Sequence, residues 1–220
     1  MSSTIAKTID HTLLKPEATT ADVVKLAEEA KMHEFASVCV NPIMADTALE
    51  KLEGTDVMVC AVVGFPLGAT TTKMKQEETK ELVAKGVEEI DMVLSIGCLK
   101  EGSDDYVRTD IQTVVDEARA GGAITKVIIE TALLTDEEKK RACRLSLEAG
   151  AEFVKTSTGF AGGGATVEDV RLMKEAVGEQ AEVKASGGIR DTQTALAMLE
   201  AGADRIGASA SVAIAAGAES

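Results

Sequence analysis

Residues 145–159 read LSLEAGAEFVKTSTG: the end of an amphipathic stretch, a glycine, and a short apolar run that contains one lysine. The same succession of glycine, small apolar residue and acid recurs at residues 86–88 and 202–204. A glycine just past a helix adopts the left-handed conformation that turns the chain into the next strand, so it fixes where that strand begins. Five residues past each glycine lie Asp91, Lys155 and Gly207, which we therefore expect at similar heights on three strands. Because a charge facing a layer of helices is costly, we expect Asp91 and Lys155 to point to the inner side of the sheet.

Apolar, β-branched runs alternate with charged amphipathic stretches along the whole chain, without a Pro/Gly/Ser-rich linker. The alternation predicts eight strands, at residues 9–13, 37–40, 57–63, 89–94, 126–131, 153–156, 183–185 and 205–208. Helical patterns fill the gaps, for example at residues 21–32, 71–84, 136–148 and 167–176. This order predicts an α/β fold, a single (β/α)8 TIM barrel that forms one domain over residues 1–220. An open doubly wound sheet is the alternative, but no Gly-x-Gly-x-x-Gly motif follows an early strand.

The composition narrows the class of protein. Four Phe, one Tyr and no Trp predict a core of Val, Ile, Leu, Ala and Met, as in parallel strands buried on both faces. A net charge of −14 argues against a nucleic-acid partner, because nucleic-acid binding needs clustered Lys and Arg.

The first twenty residues lack the apolar segment of a signal peptide and no apolar run could cross a bilayer, so we expect a cytoplasmic protein without a membrane partner. The four cysteines are far apart in sequence, which fits free thiols in a reducing compartment.

Two neighbouring predicted strands each carry a lysine that is soon followed by serine and glycine, at Lys155 and Lys184. Burial and a second nearby cation both lower the pKa of a lysine amine. An amine that attacks a carbonyl group must be unprotonated, so this arrangement favours a nucleophilic lysine. Asp91 would supply the counter-charge and a proton shuttle between the two amines. The alternative is a set of buried ion pairs that only stabilises the fold.

Glycines follow the last two predicted strands, in Gly187-Gly188-Ile189-Arg190 and in the run from Gly207 to Ser211. Glycine lets backbone N–H groups approach an anion, and in barrels these strand ends are the usual place for a substrate phosphate. A turn without a ligand is the alternative interpretation. The predicted substrate and phosphate site consists of Thr158, Gly159, Gly187, Gly188, Gly207 and Ser209.

Neither of the two histidines is predicted to be a metal ligand. His33 is expected on a helix as a surface or packing residue, whereas His11 ends the first predicted strand and could reach the pocket. No second His or Glu lies at ligand spacing, so we predict no metal and no other cofactor.

Four motifs resemble those of the deoxyribose-phosphate aldolases, and the resemblance spans about residues 8–211. The motifs are Asp10-His11-Thr12, Glu89-Ile90-Asp91-Met92-Val93, the run from Val154 to Phe160, and the run from Val183 to Ile189. The resemblance implies reversible cleavage of 2-deoxy-D-ribose 5-phosphate to D-glyceraldehyde 3-phosphate and acetaldehyde, a lyase reaction of deoxynucleoside catabolism. It implies that Lys155 forms the Schiff base and that Asp91 and Lys184 are the acid/base pair. It further implies phosphate contacts from Gly187, Gly188, Gly207 and Ser209.

The sequence departs from the family pattern at two places. Some members carry lysine where this chain has Phe160, so the resemblance implies that this phosphate contact is absent. The tail after Ala210 has no tyrosine, whereas a C-terminal tyrosine assists proton transfer in some relatives.

Two other functions share some of these features. A barrel phosphosugar isomerase would use the phosphate loops without needing paired lysines, and a non-catalytic sugar-phosphate-binding protein would bind the ligand without releasing acetaldehyde. In each case the expected partners are small molecules, here a phosphosugar and aldehydes. The sequence leaves the oligomeric state open and allows a homodimer or a tetramer.

Overall fold

The computed structural model describes residues 5–218 and contains a closed barrel of eight parallel strands, in which each strand pairs with the next along the chain and the last with the first. The strands are β1 (Ile9–Leu13), β2 (Ser37–Val40), β3 (Met58–Val63), β4 (Glu89–Val93), β5 (Ile124–Ile128), β6 (Phe153–Lys155), β7 (Glu182–Ser186) and β8 (Arg205–Ala208). The predicted (β/α)8 barrel is thereby confirmed. Residues 1–4 and 219–220, which belong to the predicted domain and to the tyrosine-free tail, lie outside the described residues.

Helices connect the strands and surround the barrel. They are α1 (Thr20–His33), α2 (Ala45–Leu52), α3 (Thr72–Lys85), α4 (Ile96–Lys100), α5 (Asp104–Ala120), α6 (Asp136–Glu148), α7 (Val167–Val177), α8 (Thr192–Glu200) and α9 (Ser211–Gly217). Threonine hydroxyls cap α1, α3, α6 and α7, and the Asp191 carboxylate caps α8, as expected for residues that accept hydrogen bonds from free N–H groups. None of the helices described here is both long and apolar enough to span a bilayer.

The apolar core lies between the barrel and the helices. Side chains alternate along each strand, and the outward-facing ones, such as Ile90, Met92, Val154 and Val183, are fully buried in one large cluster. The inward-facing ones in the middle of the barrel are mostly polar or charged. The helices therefore pack on the barrel through Val, Ile, Leu, Ala and Met, as predicted. The polar side chains inside the barrel are available for a functional site.

The strand register arranges the inward-facing side chains in layers. Asp91 pairs with Lys126, Lys126 pairs with Phe153, and Lys155 lies two residues beyond Phe153. Neighbouring strands of such a barrel are staggered by about one residue, so two strands are staggered by about two residues. Lys155, two residues beyond the register partner of Lys126, therefore lies at the same height as Asp91. Repeating the step around the barrel gives one layer from alternate strands: Cys39, Asp91, Lys155 and Gly207. The equal heights inferred from the glycine spacing are confirmed.

The fifth strand is displaced from its prediction. It covers Ile124–Ile128 rather than residues 126–131, because Glu130 adopts a left-handed conformation with φ of 59° and a 3₁₀ helix follows at Thr131–Leu133. A strand cannot continue through such a residue. The early exit places the buried Glu130 carboxylate against the end of β6, where it accepts hydrogen bonds from the backbone N–H and the hydroxyl of Thr158.

Candidate active site

Three charged side chains from β4, β6 and β7 meet inside the barrel: Asp91, Lys155 and Lys184. Lys155 Nζ donates a hydrogen bond to Asp91 Oδ2 at 2.6 Å, and Lys184 Nζ donates to the same oxygen at 2.7 Å. Lys184 and Asp91 are fully buried, whereas 3% of Lys155 is exposed. The structure thus brings together the three residues that the sequence singled out for catalysis.

Further charged residues, which the sequence did not single out, extend this cluster toward the N-terminal ends of the strands. Lys126 Nζ lies 3.0 Å from Asp91 Oδ1 and 2.5 Å from Glu89 Oε2. Arg205 Nη1 lies 2.6 Å from Asp10 Oδ1 and 3.2 Å from Glu89 Oε1. These contacts continue the charged cluster into a second layer, so the charge state of Asp91 is set by more than the two predicted lysines.

The electrostatics of the cluster favour ionised groups. Burial would raise the pKa of the Asp91 carboxyl, but Lys126, Lys155 and Lys184 outweigh burial and hold that pKa well below its usual range. Burial would likewise lower the pKa of Lys184, but the carboxylates of Asp10 and Asp91 raise it above its usual range. Asp10 Oδ2 lies 2.5 Å from Lys184 Nζ. Asp91 is therefore a carboxylate and Lys184 an ammonium group near neutral pH.

The network contains one more basic than acidic group. The ion pairs join the basic side chains Lys126, Lys155, Lys184 and Arg205 to the acidic side chains Asp10, Glu89 and Asp91. The four basic groups outnumber the three acidic ones, so losing an acidic member would leave a buried basic group without a counter-charge.

A cavity of about 240 Å³ opens above Lys155 at the C-terminal ends of β1, β6, β7 and β8. Lys155 lines this cavity, whereas Lys126 and Lys184 do not. All of the residues predicted for substrate and phosphate binding also line it: Thr158, Gly159, Gly187, Gly188, Gly207 and Ser209. Of the three lysines around Asp91, Lys155 is therefore the one that borders the cavity.

Three glycines of the cavity wall have a backbone conformation or surroundings that disfavour a side chain. Gly187 and Gly188 have φ of 84° and 80°, a backbone conformation that residues with a side chain rarely adopt. A Cβ on Gly207 would lie 3.0 Å from Lys184 Cε and 3.0 Å from Ser186 Cβ, so the absent side chain leaves room for the buried lysine. The strand ends thus expose backbone to the cavity and admit Lys184 beneath it.

Comparisons with known proteins agree with this geometry. A family sequence model described as DeoC/LacD family aldolase matches residues 4–218. The chain is 60% identical over 210 residues to the deoxyribose-phosphate aldolase of Bacillus cytotoxicus, covering 96% of this chain and 94% of the relative. It is 60% identical over 214 residues to that of a Geobacillus species, covering 97% of this chain and 96% of the relative. The tetrameric deoxyribose phosphate aldolase from Aeropyrum pernix superposes with a TM-score of 0.94 at 32% identity, covering 100% of this chain and 93% of that one.

The chain belongs to the DeoC/LacD family of aldolases. The family resemblance stated from the four sequence motifs is confirmed. The fold, the buried lysine pair and the cavity at the C-terminal mouth of the barrel would allow a lysine amine to meet a small carbonyl compound.

Two cysteines of this DeoC/LacD-family chain lie in the same polar interior. Cys39 and Cys60 are register partners on β2 and β3, and both sulfur atoms lie within 4.8 Å of an Asp91 carboxylate oxygen. This trio has the donor atoms of a metal site. The same carboxylate, however, already accepts hydrogen bonds from Nζ of Lys126, Lys155 and Lys184 at 2.6–3.0 Å, so a metal cation would have to displace these donors. The cluster therefore fits hydrogen bonding by thiols better than metal binding.

The expectation that His11 could reach the pocket of this aldolase-family barrel is wrong. Asp10 faces inward on β1, so the next side chain faces outward, and His11 Nε2 lies 2.8 Å from Glu29 Oε2 of α1. Burial lowers the pKa of His11 despite the nearby Glu29 carboxylate. His33 ends α1 and stacks on Phe35 with ring centroids 5.3 Å apart, which agrees with the predicted packing role.

Proposed function

We propose that this chain is a class I deoxyribose-phosphate aldolase, which reversibly cleaves 2-deoxy-D-ribose 5-phosphate to D-glyceraldehyde 3-phosphate and acetaldehyde through a Schiff base on Lys155. The observation that carries the proposal is the position of Lys155, which lines the cavity and whose Nζ lies 2.6 Å from a carboxylate oxygen of Asp91. The relatives at 60% identity bear this name.

The reaction would begin when the amine of Lys155 adds to C1 of the open-chain aldehyde and water leaves, which gives an iminium ion. Deprotonation of the C3 hydroxyl then breaks the C2–C3 bond. The electron pair of that bond moves into an enamine whose electron sink is the iminium nitrogen, and glyceraldehyde 3-phosphate departs. Protonation of the enamine at C2 and hydrolysis release acetaldehyde and restore the amine. No metal or other cofactor enters these steps.

Asp91 and Lys184 are the groups placed to move protons in this sequence. The Asp91 carboxylate is the acceptor nearest the reacting nitrogen, and the Lys184 ammonium is a donor held at 2.7 Å from the same carboxylate oxygen. General acid/base catalysis of this kind contributes about 10²–10⁴-fold. The Asp91 carboxylate would also stabilise the positive charge of the iminium, because it lies beside the nitrogen in a fully buried position.

The phosphate would bind at the glycine-rich ends of β7 and β8. Gly187, Gly188, Gly207 and Ser209 line the cavity that also holds Lys155, and the exposed backbone at positive φ suits an anion. Thr158 and Gly159 complete the wall after β6. The Thr158 hydroxyl and N–H are held by Glu130, which fixes this part of the wall.

The test is reductive trapping. Protein treated with acetaldehyde and sodium borohydride should carry N-ethyl-lysine at Lys155, and protein treated with deoxyribose 5-phosphate and borohydride should carry its adduct at the same lysine. The Lys155→Arg variant keeps the positive charge but cannot form a Schiff base, so it should show neither the adduct nor acetaldehyde release. An adduct at another residue that tracks with activity would overturn the assignment.

A coupled assay separates this function from its alternatives. Wild-type protein should release acetaldehyde from deoxyribose 5-phosphate, measured through NADH consumption by alcohol dehydrogenase, and a chelator should not change the rate. An isomerase would convert a phosphosugar without a reducible adduct. A binding protein would show ligand-dependent thermal stabilisation without any acetaldehyde.

We further propose that the chain acts in the cytoplasm and assembles as a homodimer or a tetramer. The four cysteines are free thiols, which fits a reducing compartment. The relative from Aeropyrum pernix is tetrameric. Light scattering after size-exclusion chromatography measures the mass of the assembly, and a monomer at micromolar concentration would contradict the oligomer.

A further inference from the structure

Lys15 lies on the loop between β1 and α1 and lines the same cavity as Lys155. Strand β1 pairs with β8, with Asp10 opposite Gly207 and His11 opposite Ala208. The loop after β1 therefore emerges beside the loop after β8, which carries Ser209. This neighbourhood places Lys15 next to one half of the proposed phosphate site.

The cavity has a positive rim. Its lining contains Lys15, Lys155 and Arg190 but no Asp or Glu, in a chain with a net charge of −14. Among residues 5–218, Lys15 takes part in no ion pair, whereas Lys25 on the adjacent helix pairs with Glu29 at 3.7 Å. Lys15 also lines the neighbouring cavity, which contains the side chains of Glu17, Asp22 and Glu29, so only its side toward Lys155 faces a lining without carboxylates. A cation without an ion-pair partner, next to such a lining, is suited to hold an anion.

The wall after β6 supplies no charge to such an anion. Phe160 lines the cavity, is 52% exposed, and packs edge-to-face against Phe65 with ring centroids 5.3 Å apart. The amine of Lys155 would be bonded to C1 of the sugar, at the opposite end of the substrate from the phosphate. The counter-charge of a phosphate dianion must therefore come from another loop.

We propose that Lys15 is a substrate-binding residue that contacts the 5-phosphate of the sugar and makes the site selective for phosphorylated substrates. This inference rests on the proposed function. Backbone N–H groups of the glycine-rich ends would orient the phosphate, and the Lys15 ammonium would supply charge that neutral amides lack. Arg190 lines the same cavity, so removal of Lys15 weakens phosphate binding without abolishing it.

The experiment compares Lys15→Met and Lys15→Arg with wild type on two substrates, 2-deoxyribose 5-phosphate and unphosphorylated 2-deoxyribose. Lys15→Met should raise KM for the phosphorylated sugar by about tenfold, the loss expected for one charge-assisted contact, with little change in kcat. The ratio of kcat/KM for the two substrates should fall by the same factor. Lys15→Arg should restore most of it, because the charge is kept.

Lys25→Met is the matched control, because it removes one positive charge from the same face of the protein but from a side chain that lines only the neighbouring cavity. Its KM for the phosphorylated sugar should equal that of wild type. An unchanged substrate ratio in Lys15→Met, or an equal fall in Lys25→Met, would overturn the role of Lys15.

A binding measurement separates failure of this inference from failure of the proposed function. Inorganic phosphate should raise the unfolding temperature of wild type more than that of Lys15→Met, even if wild type cleaves neither sugar. Loss of cleavage with this difference intact would refute the aldolase and keep the phosphate contact. Equal stabilisation of the two proteins, including none in either, would overturn the contact itself.

Discussion

Lys155 and Lys184 are register partners on neighbouring strands, and both donate a hydrogen bond to one oxygen atom, Oδ2 of Asp91. The other carboxylate oxygen accepts from Lys126 at 3.0 Å and from Cys60 at 3.2 Å. Both oxygens of Asp91 are thus occupied, which fixes the orientation of the carboxylate. Any loss of one partner must change the position or the charge of the others.

Replacing Lys184 by Met should reduce kcat/KM for deoxyribose 5-phosphate by about 10²–10⁴-fold, because the variant lacks the proposed proton donor beside Lys155. The free energy of unfolding should also fall by about 3–5 kcal/mol, since Asp10 and Asp91 each lose a buried ammonium partner. The coupled assay measures the first effect, and urea unfolding followed by circular dichroism measures the second.

Lys75 offers a matched control for this variant. It is also fully buried and pairs with a carboxylate, with Nζ 2.5 Å from Asp110 Oδ2, but it lies between α3 and α5 outside the barrel. Lys75→Met should lose comparable stability while the folded fraction keeps wild-type kcat/KM. Equal losses of kcat/KM in the two variants would mean that Lys184 acts only through stability.

Asp91→Asn should make stability less sensitive to acid. The folded pKa of Asp91 lies well below its usual range, because Lys126, Lys155 and Lys184 together outweigh the opposing effect of burial. A carboxyl with a depressed folded pKa contributes stability above its unfolded pKa of about 3.9, and this contribution is lost as pH falls toward the folded value. Wild type should therefore lose free energy of unfolding between about pH 4 and pH 2 more steeply than Asp91→Asn.

Urea unfolding at several pH values from neutral to acid tests this difference, with Asp46→Asn as a control at an exposed carboxylate. Parallel curves for wild type and Asp91→Asn would contradict the ion-pair network. Asp91→Asn should in addition fail in borohydride trapping, because the group that accepts from Lys155 has lost its charge.

The sequence predicted the barrel and the common height of Asp91, Lys155 and Gly207 because both depend on local patterns. A left-handed glycine ends a helix at a defined place, so counting five residues onward located Asp91, Lys155 and Gly207 in one layer. The rest of the ionic network was missed, although Glu89 and Arg205 lie two residues before Asp91 and Gly207 and so face the same side. Period-two alternation applied to each strand would have found them.

Other parts of the site depend on contacts that local patterns do not encode. Asp10 contacts Lys184 and Arg205 only because the barrel closes β1 against β8. The error at His11 has a related cause, since moving one residue along a strand reverses the side that a residue faces. The displacement of β5 follows from the left-handed conformation of Glu130, a residue type that seldom adopts it.

His11→Gln tests the corrected position of the histidine. Because burial lowers the folded pKa of His11, the unfolded chain takes up this proton first as pH falls below about 6.5, and folding stability decreases there. The variant should lack this decrease between about pH 6.5 and pH 5. Its kcat/KM at neutral pH should equal that of wild type, as an outward-facing residue requires. A large loss of activity with stability unchanged would instead support the expectation that His11 reaches the pocket.

Phe160→Lys should lower KM for the phosphorylated sugar, because it adds a cation to the cavity wall that now presents a half-exposed phenyl ring. Loss of the edge-to-face contact with Phe65 should cost about 0.5–1.5 kcal/mol of stability. Phe65→Leu separates the two effects, since it removes the aromatic pair without adding charge and should leave KM unchanged. The double variant Lys15→Met/Phe160→Lys should recover much of the affinity lost in Lys15→Met, because one phosphate cannot lie far from either side chain in a cavity of about 240 Å³. If the double variant binds deoxyribose 5-phosphate no better than Lys15→Met, the two side chains do not face the same anion.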